Sequence, residues 1–265
     1  MRPFLRSFGS AFSFFLFAAR KNRRSRTFFL ISLLPAVAAA VIALGRLFMP
    51  DAGIDGPSAF GGVIMGFELQ FLILVLALFY GSSICSEEVE GRTLTYLTTR
   101  PVPKQALLLG KFAAVVVMLA VFVASGLVLA FLLLHVENLG DGEAWLRMAK
   151  SAGVLGLGLL CYTALFALAG TFLKRSVLFG LFFGFGWESV VQFFPGATQR
   201  FTVMHYLKSL LPVTTSSGGG KLSFLVFRLE PSPPAAAVAV LLGLTAVFLA
   251  AAAVVFANKE YLFEE

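Results

Sequence analysis

Six long stretches of this chain carry almost no charge, and that constrains its fold more than any other feature. They cover roughly residues 27–48, 61–86, 106–134, 145–173, 177–194 and 235–257. Each is long enough, as a helix rising ~1.5 Å per residue, to cross the ~30 Å hydrocarbon layer of a bilayer. Backbone in lipid must satisfy its own hydrogen bonds, which favours helices. A barrel would need short alternating strands, and these runs do not alternate. Only 13% of the 265 residues are charged and 58% are hydrophobic, against roughly 25% and 45–50% in soluble domains. The expected fold is therefore an all-α integral membrane protein with six transmembrane helices.

Basic residues give the orientation. The net charge is +7, and in a soluble protein that would point to nucleic acid. Here the basic residues gather at segment ends, which suits anionic lipid headgroups, and no nucleic-acid partner is expected. Arg2, Arg6, Arg20, Lys21, Arg23, Arg24 and Arg26 precede the first stretch. Arg92, Arg100, Lys104 and Lys111 follow the second, Lys174 and Arg175 the fourth, and Lys259 the sixth. That puts 14 of the 21 basic residues on one side, so both termini are expected in the cytoplasm of a multi-pass protein.

Residues 1–26 read as a cytoplasmic N-terminal unit and residues 27–265 as the membrane domain. The first 19 residues resemble a secretory signal, with early arginines and an apolar run. Five basic residues follow at once, and these oppose translocation. Phe4, Phe8, Phe12 and Phe15, with Leu5, share one face at helical spacing. Arg2, Arg6, Ser10 and Ser13 fall largely elsewhere. This predicts an amphipathic helix on the inner membrane surface; the alternative is a disordered basic tail.

The second connection, residues 86–111, reads SEEVEGRTLTYLTTRPVPKQALLLGK. Glu87, Glu88 and Glu90 are placed in the first turn of a short helix, where the helix dipole favours acids. Leu94 and Leu97, with Val89 and Thr93, give one apolar edge. Pro101 ends the helix and restricts Arg100, and Pro103 stiffens the return. The expectation is a stiff charged hairpin on the cytoplasmic side, against the simpler reading of a plain connector.

This pattern is similar to the signature of ABC-2 type transporter permeases: acid–acid–Val–Glu–Gly–Arg–Thr–Leu, then Tyr–Leu–Thr–Thr–Arg–Pro–Val–Pro–Lys, then Leu–Leu–Gly–Lys. The resemblance implies six spans, an N-terminal connecting helix, a coupling helix at about residues 87–100 and a helical outer gate segment at about 195–234. It also implies that Glu87, Glu88, Glu90, Gly91, Arg92, Thr93, Leu94, Leu97, Arg100 and Pro101 engage an ATPase. The partners implied are two ABC ATPase subunits, which would hold ATP and Mg, a second copy of this permease or a homologue, and membrane lipid. A weaker likeness to bacterial members covers Trp187, Glu188, Pro195, Arg200, His205 and Tyr206, and implies an inner-membrane exporter.

The phosphate-binding loop Gly-x-x-x-x-Gly-Lys-Ser/Thr is missing, since Gly110-Lys111 lacks both the upstream glycine and the following hydroxyl. The chain is thus expected to bind no cofactor and to be no enzyme. There is no His-Glu-x-x-His motif and no cysteine pair at metal spacing, and Cys85 and Cys161 read as small buried residues. His135 and His205 read as interfacial. An ATPase-independent channel or assembly scaffold would explain the spans equally well, but not an ordered hairpin.

Glu68 and Glu188 fall inside apolar stretches. An acid at a helix centre costs on the order of 2.5–3.5 kcal/mol on insertion scales. Both are candidates to face an outer vestibule, balanced by Arg46, Arg147 or Arg200; the alternative is interfacial placement with access to water. Trp187, Pro195, Arg200 and Tyr206 complete the candidate gate. Within it, residues 198–211 are helical in character, 214–220 (TTSSGGG) are flexible, and 222–229 are apolar enough to cap a pore.

Overall fold

The computed structural model describes residues 2–49, 55–90, 104–136, 139–173, 176–191, 197–211 and 232–258, and these are helical, with no strand among them. Five helical stretches are long and apolar enough to cross a membrane: Arg24–Phe48, Gly56–Ile84, Lys104–Leu134, Gly142–Phe172 and Pro234–Asn258. They match expected spans one to four and six. The expected fifth span is shorter, an apolar helix over Ser176–Trp187 that continues to Val191. The protein is a multi-pass, all-helical membrane protein.

The chain begins with α1 (Arg2–Lys21). Asn22 then separates it from α2 (Arg23–Ser32) as an N-cap, its side-chain oxygen accepting from the Arg24 N–H at 3.1 Å. The first span breaks once, between α2 and α3 (Leu34–Phe48). Pro35 has no N–H to return to the preceding turn, and Leu33 bonds back to Leu30 over a tighter turn.

Helix α1 is packed against the bundle. It packs along α6 (Lys104–Leu134), with Phe8, Ala11 and Phe12 around Gly110. A Cβ at Gly110 would stand 2.7 Å from the Ala11 Cβ, so only glycine allows this approach. The expected face is recovered at Phe8, Phe12 and Phe15, which are half-buried, while Phe14 and Phe17 are exposed.

The second span is a single rod. It comprises α4 (Gly56–Val63), a π-helical segment (Ile64–Leu72) and α5 (Ile73–Glu90). Helix α5 makes its most extensive contact with α7 (Gly142–Phe172), which Asp141 caps through the Glu143 N–H at 3.0 Å. Tyr162, Phe166, Leu72, Ile73, Leu76 and Leu119 are among the residues filling the core. The rod changes one expectation. Glu87, Glu88 and Glu90 close the last turn of α5 instead of opening a new helix. No glycine or proline interrupts the sequence between Ser82 and Glu90, so the span continues through them.

The short fifth segment comprises α8 (Ser176–Leu181), a second π-helical segment (Phe182–Trp187) and α9 (Glu188–Val191). Gly180 lies against Leu78 and Gly184 against Leu74, so this segment runs antiparallel to α5. The two π segments meet through Phe71 and Phe185, whose rings are 6.1 Å apart. A 3-10 turn (Ala197–Phe201), helix α10 (Val203–Leu210) and the last span α11 (Pro234–Asn258) follow.

A buried polar junction in the helix bundle

Helix α10 is the least expected element. Its sequence, VMHYLKSL, has the polarity of a surface helix, yet Val203, Met204, His205 and Leu207 are buried. Leu207 rests on Gly158, near the middle of α7, and Ile73 borders the same position. The segment read as an outer helix therefore packs into the bundle at mid-span. Thr202 caps it, accepting from the His205 N–H at 3.3 Å. Phe201, just before it, is 80% exposed.

Glu188 is what α10 docks onto. The carboxylate accepts from the Val203 N–H through Oε1 at 3.3 Å and from the Met204 N–H through Oε2 at 3.4 Å. These amides belong to the first turn of α10, which has no intrahelical acceptor for them, and the positive end of the helix dipole lies there. The buried Tyr162 hydroxyl stands beside the same carboxylate, and Lys208 is the positive charge that acts on it. Two of the three arginines considered as partners are engaged elsewhere. Arg46 donates to the Leu134 carbonyl at 3.3 Å, and Arg147 pairs with Glu143 at 3.5 Å. Arg200 and Trp187 are exposed and Tyr206 is half-buried. Pro195 lies outside the described residues.

The far end of α10 is tied to the start of the last span. His205 Nε2 lies 3.1 Å from the Ser232 hydroxyl, and the Ser232 N–H donates to the Ser209 hydroxyl at 3.3 Å. Ser209 donates in turn to the His205 carbonyl at 2.8 Å. His205, read as interfacial, is thus a buried connector. His135 sits just past the end of α6, stacked on Phe131 (4.5 Å) with the Phe60 ring edge-on at 5.3 Å. Burial holds its imidazole below the ordinary histidine range.

Glu68 lies in the π segment of the second span and is fully enclosed, and neither oxygen has a hydrogen-bond partner among the described residues. Cys161 is a buried free thiol, as expected. No cluster of His, Cys, Asp or Glu able to hold a metal occurs among the described residues.

At the opposite end, near the acidic turn of α5, three helices are knotted together. Lys111 on α6 is buried, donates to the Ser83 carbonyl on α5 at 3.5 Å and sits 5.3 Å over the Phe15 ring of α1. Arg24 stacks on Phe28 and Tyr80 and donates to the Phe79 carbonyl at 3.2 Å. Gly91, Arg92, Thr93, Leu94, Leu97, Arg100 and Pro101 lie outside the described residues.

Comparison with known proteins gives one assignment. A family model described as ABC-2 family transporter protein matches residues 19–188, well over half of the chain. No curated protein matches it.

Proposed function

The chain belongs to the ABC-2 family of transporter proteins, and on that premise we propose that it is the permease subunit of an ATP-driven exporter. ABC-2 permeases are membrane subunits that work with ABC ATPases. The finer reading is that two ATPase subunits carry ATP and Mg, while this chain and a second copy or homologue form the substrate path. The membrane would be the bacterial cytoplasmic one. Both termini would lie in the cytoplasm, with the short 176–191 segment supplying the fifth of six crossings.

One observation carries the mechanical part. The second span runs without interruption from Gly56 to the acidic turn at Glu90, about 50 Å at ~1.5 Å per residue. A push on the coupling segment, about residues 87–100, would reach the bundle through a rod and not through a soft loop. Lys111 and Arg24 bind α1, α2, α5 and α6 together beside it, so the N-terminal helix would move with the stroke. Outward, residues 197–211 would act as the gate, seated on Glu188 and tied to the last span through His205 and Ser232.

Co-purification tests the proposal. An ATPase should come down with the wild-type chain and be lost when Glu88 or Leu97 is replaced by Arg. A chain that works normally with no ATPase bound would instead be the channel or scaffold. Gating has its own test, a cysteine pair replacing Leu207 and Gly158. Cross-linking that does not change with ATP would remove α10 from the gate.

A further inference from the structure

Glu68 is an enclosed carboxyl that nothing in the transport cycle above uses. Its surroundings explain what it is for. It stands on the π-helical segment Ile64–Leu72, with no exposure and with both oxygens lacking a hydrogen-bond donor among the described residues. Opposite it, α6 presents Gly126. A methyl group placed there would collide with the Ser32 carbonyl oxygen and would lie 3.7 Å from Glu68 Oε1. Gly126 therefore lets the Ser32 carbonyl close onto α6, and the place its side chain would take lies beside both that oxygen and Glu68 Oε1. Ser32 is the last residue of α2, at the break before α3, so the C-terminal, negative end of that short helix also faces that place.

An enclosed carboxyl with no donor among the described residues, beside a backbone carbonyl at a helix C-terminus, suits positive charge. A buried acceptor without a donor costs about 1–3 kcal/mol, and a buried charge costs more. Among the described residues no protein cation supplies the need. Arg46 on the first span is turned to Leu134, Lys111 on the third to Ser83, and Arg147 on the fourth to Glu143. No charged side chain among the described residues stands beside Glu68. Interrupted membrane helices are known to coordinate Na+ or H+ through freed backbone carbonyls and half-helix C-termini.

We propose that Glu68 and the Ser32 carbonyl, which Gly126 admits to the same spot, form a binding site for a monovalent cation, a proton or Na+, in the interior of the first three spans. The site is separate from the Glu188 junction and needs no ATPase to fill. Charge at Glu68 is neutralised by the ion while α2 and α6 stay in contact at Ser32 and Gly126. Loss of the ion would leave the carboxylate uncompensated and favour parting of those helices.

The test uses the full-length chain in detergent, with Na+ exchanged for choline at constant ionic strength. Infrared difference spectra of the wild type against Glu68→Gln identify the occupant. A protonated-carboxyl carbonyl stretch assigned to Glu68 identifies the proton. A carboxylate band that shifts when Na+ replaces choline identifies Na+, in which case radioactive Na+ bound per chain should fall about tenfold or more in Glu68→Gln. A carboxylate band indifferent to Na+ overturns the proposal. The Na+-for-choline comparison on the wild type alone needs no variant and remains decisive if Glu68→Gln does not fold.

Discussion

Replacing Glu188 tests whether α10 is held in the bundle by its carboxylate. Each carboxylate oxygen serves a different amide, Oε1 the Val203 N–H and Oε2 the Met204 N–H. Leucine fills similar space and leaves both buried amides without a partner. At about 1–3 kcal/mol for each unsatisfied buried donor, the docked state of α10 should weaken by about 2–6 kcal/mol. Glutamine keeps one carbonyl oxygen and strands one amide, so its cost is about half. Hydrogen exchange in lipid nanodiscs reads this directly, because local opening free energy sets amide protection. At tenfold per ~1.4 kcal/mol, peptides covering 203–211 should exchange on the order of 30-fold faster or more in Glu188→Leu. Glu188→Gln should fall between that variant and the wild type, and peptides from the middle of α6 should not change. Wild-type protection of α10 in Glu188→Leu would refute the claim, and so would a uniform acceleration through all helices.

Three further outcomes follow from contacts described above. Gly110→Leu should force α1 away from α6, at about 1–3 kcal/mol for an overpacked contact; a dye at residue 17 would report a changed environment, and an unchanged signal would argue against the docking. His135 titrates below its ordinary value of 6.5 when folded, so the unfolded chain binds the proton more readily. The contribution of this residue to stability is therefore complete above the ordinary histidine range and lost as pH falls through it, and His135→Phe should reduce the acid-side drop in melting temperature. Pro35→Ala restores an N–H to the first span and should straighten the break at Leu33; an unaltered distance between spin labels on α2 and α3 would show that the proline is not its cause.

Long apolar helices were legible because length and lack of charge are local properties. The first four spans and the last one fall within a few residues of where hydropathy puts them. What the sequence hid was non-local. Nothing in ESVV or VMHY announces that the Glu188 carboxylate will cap a helix 15 residues on, and a search for cationic partners leads to Arg46 and Arg147, which are occupied elsewhere. Helix α10 was read as lying outside because it falls between the fifth and sixth apolar stretches, but its polar groups are met by Ser232 and Glu188 inside the bundle. The acidic turn was misplaced for a different reason. Dipole logic puts acids at the start of a helix, whereas Glu87–Glu90 end one, because no breaker precedes Gly91.

The π-helical turn in the second span has a mechanical meaning. Such a turn holds one residue more than an α turn, and the surplus can pass along the helix as neighbouring amides exchange acceptors one at a time. A rod with this defect can slip about its own axis there. On the coupling proposed above, a stroke arriving at Glu90 as a thrust would leave the outer part of the span as a rotation. The aromatic pair Phe71 and Phe185 would hand that rotation to the fifth segment, where the matching defect lies directly below Glu188.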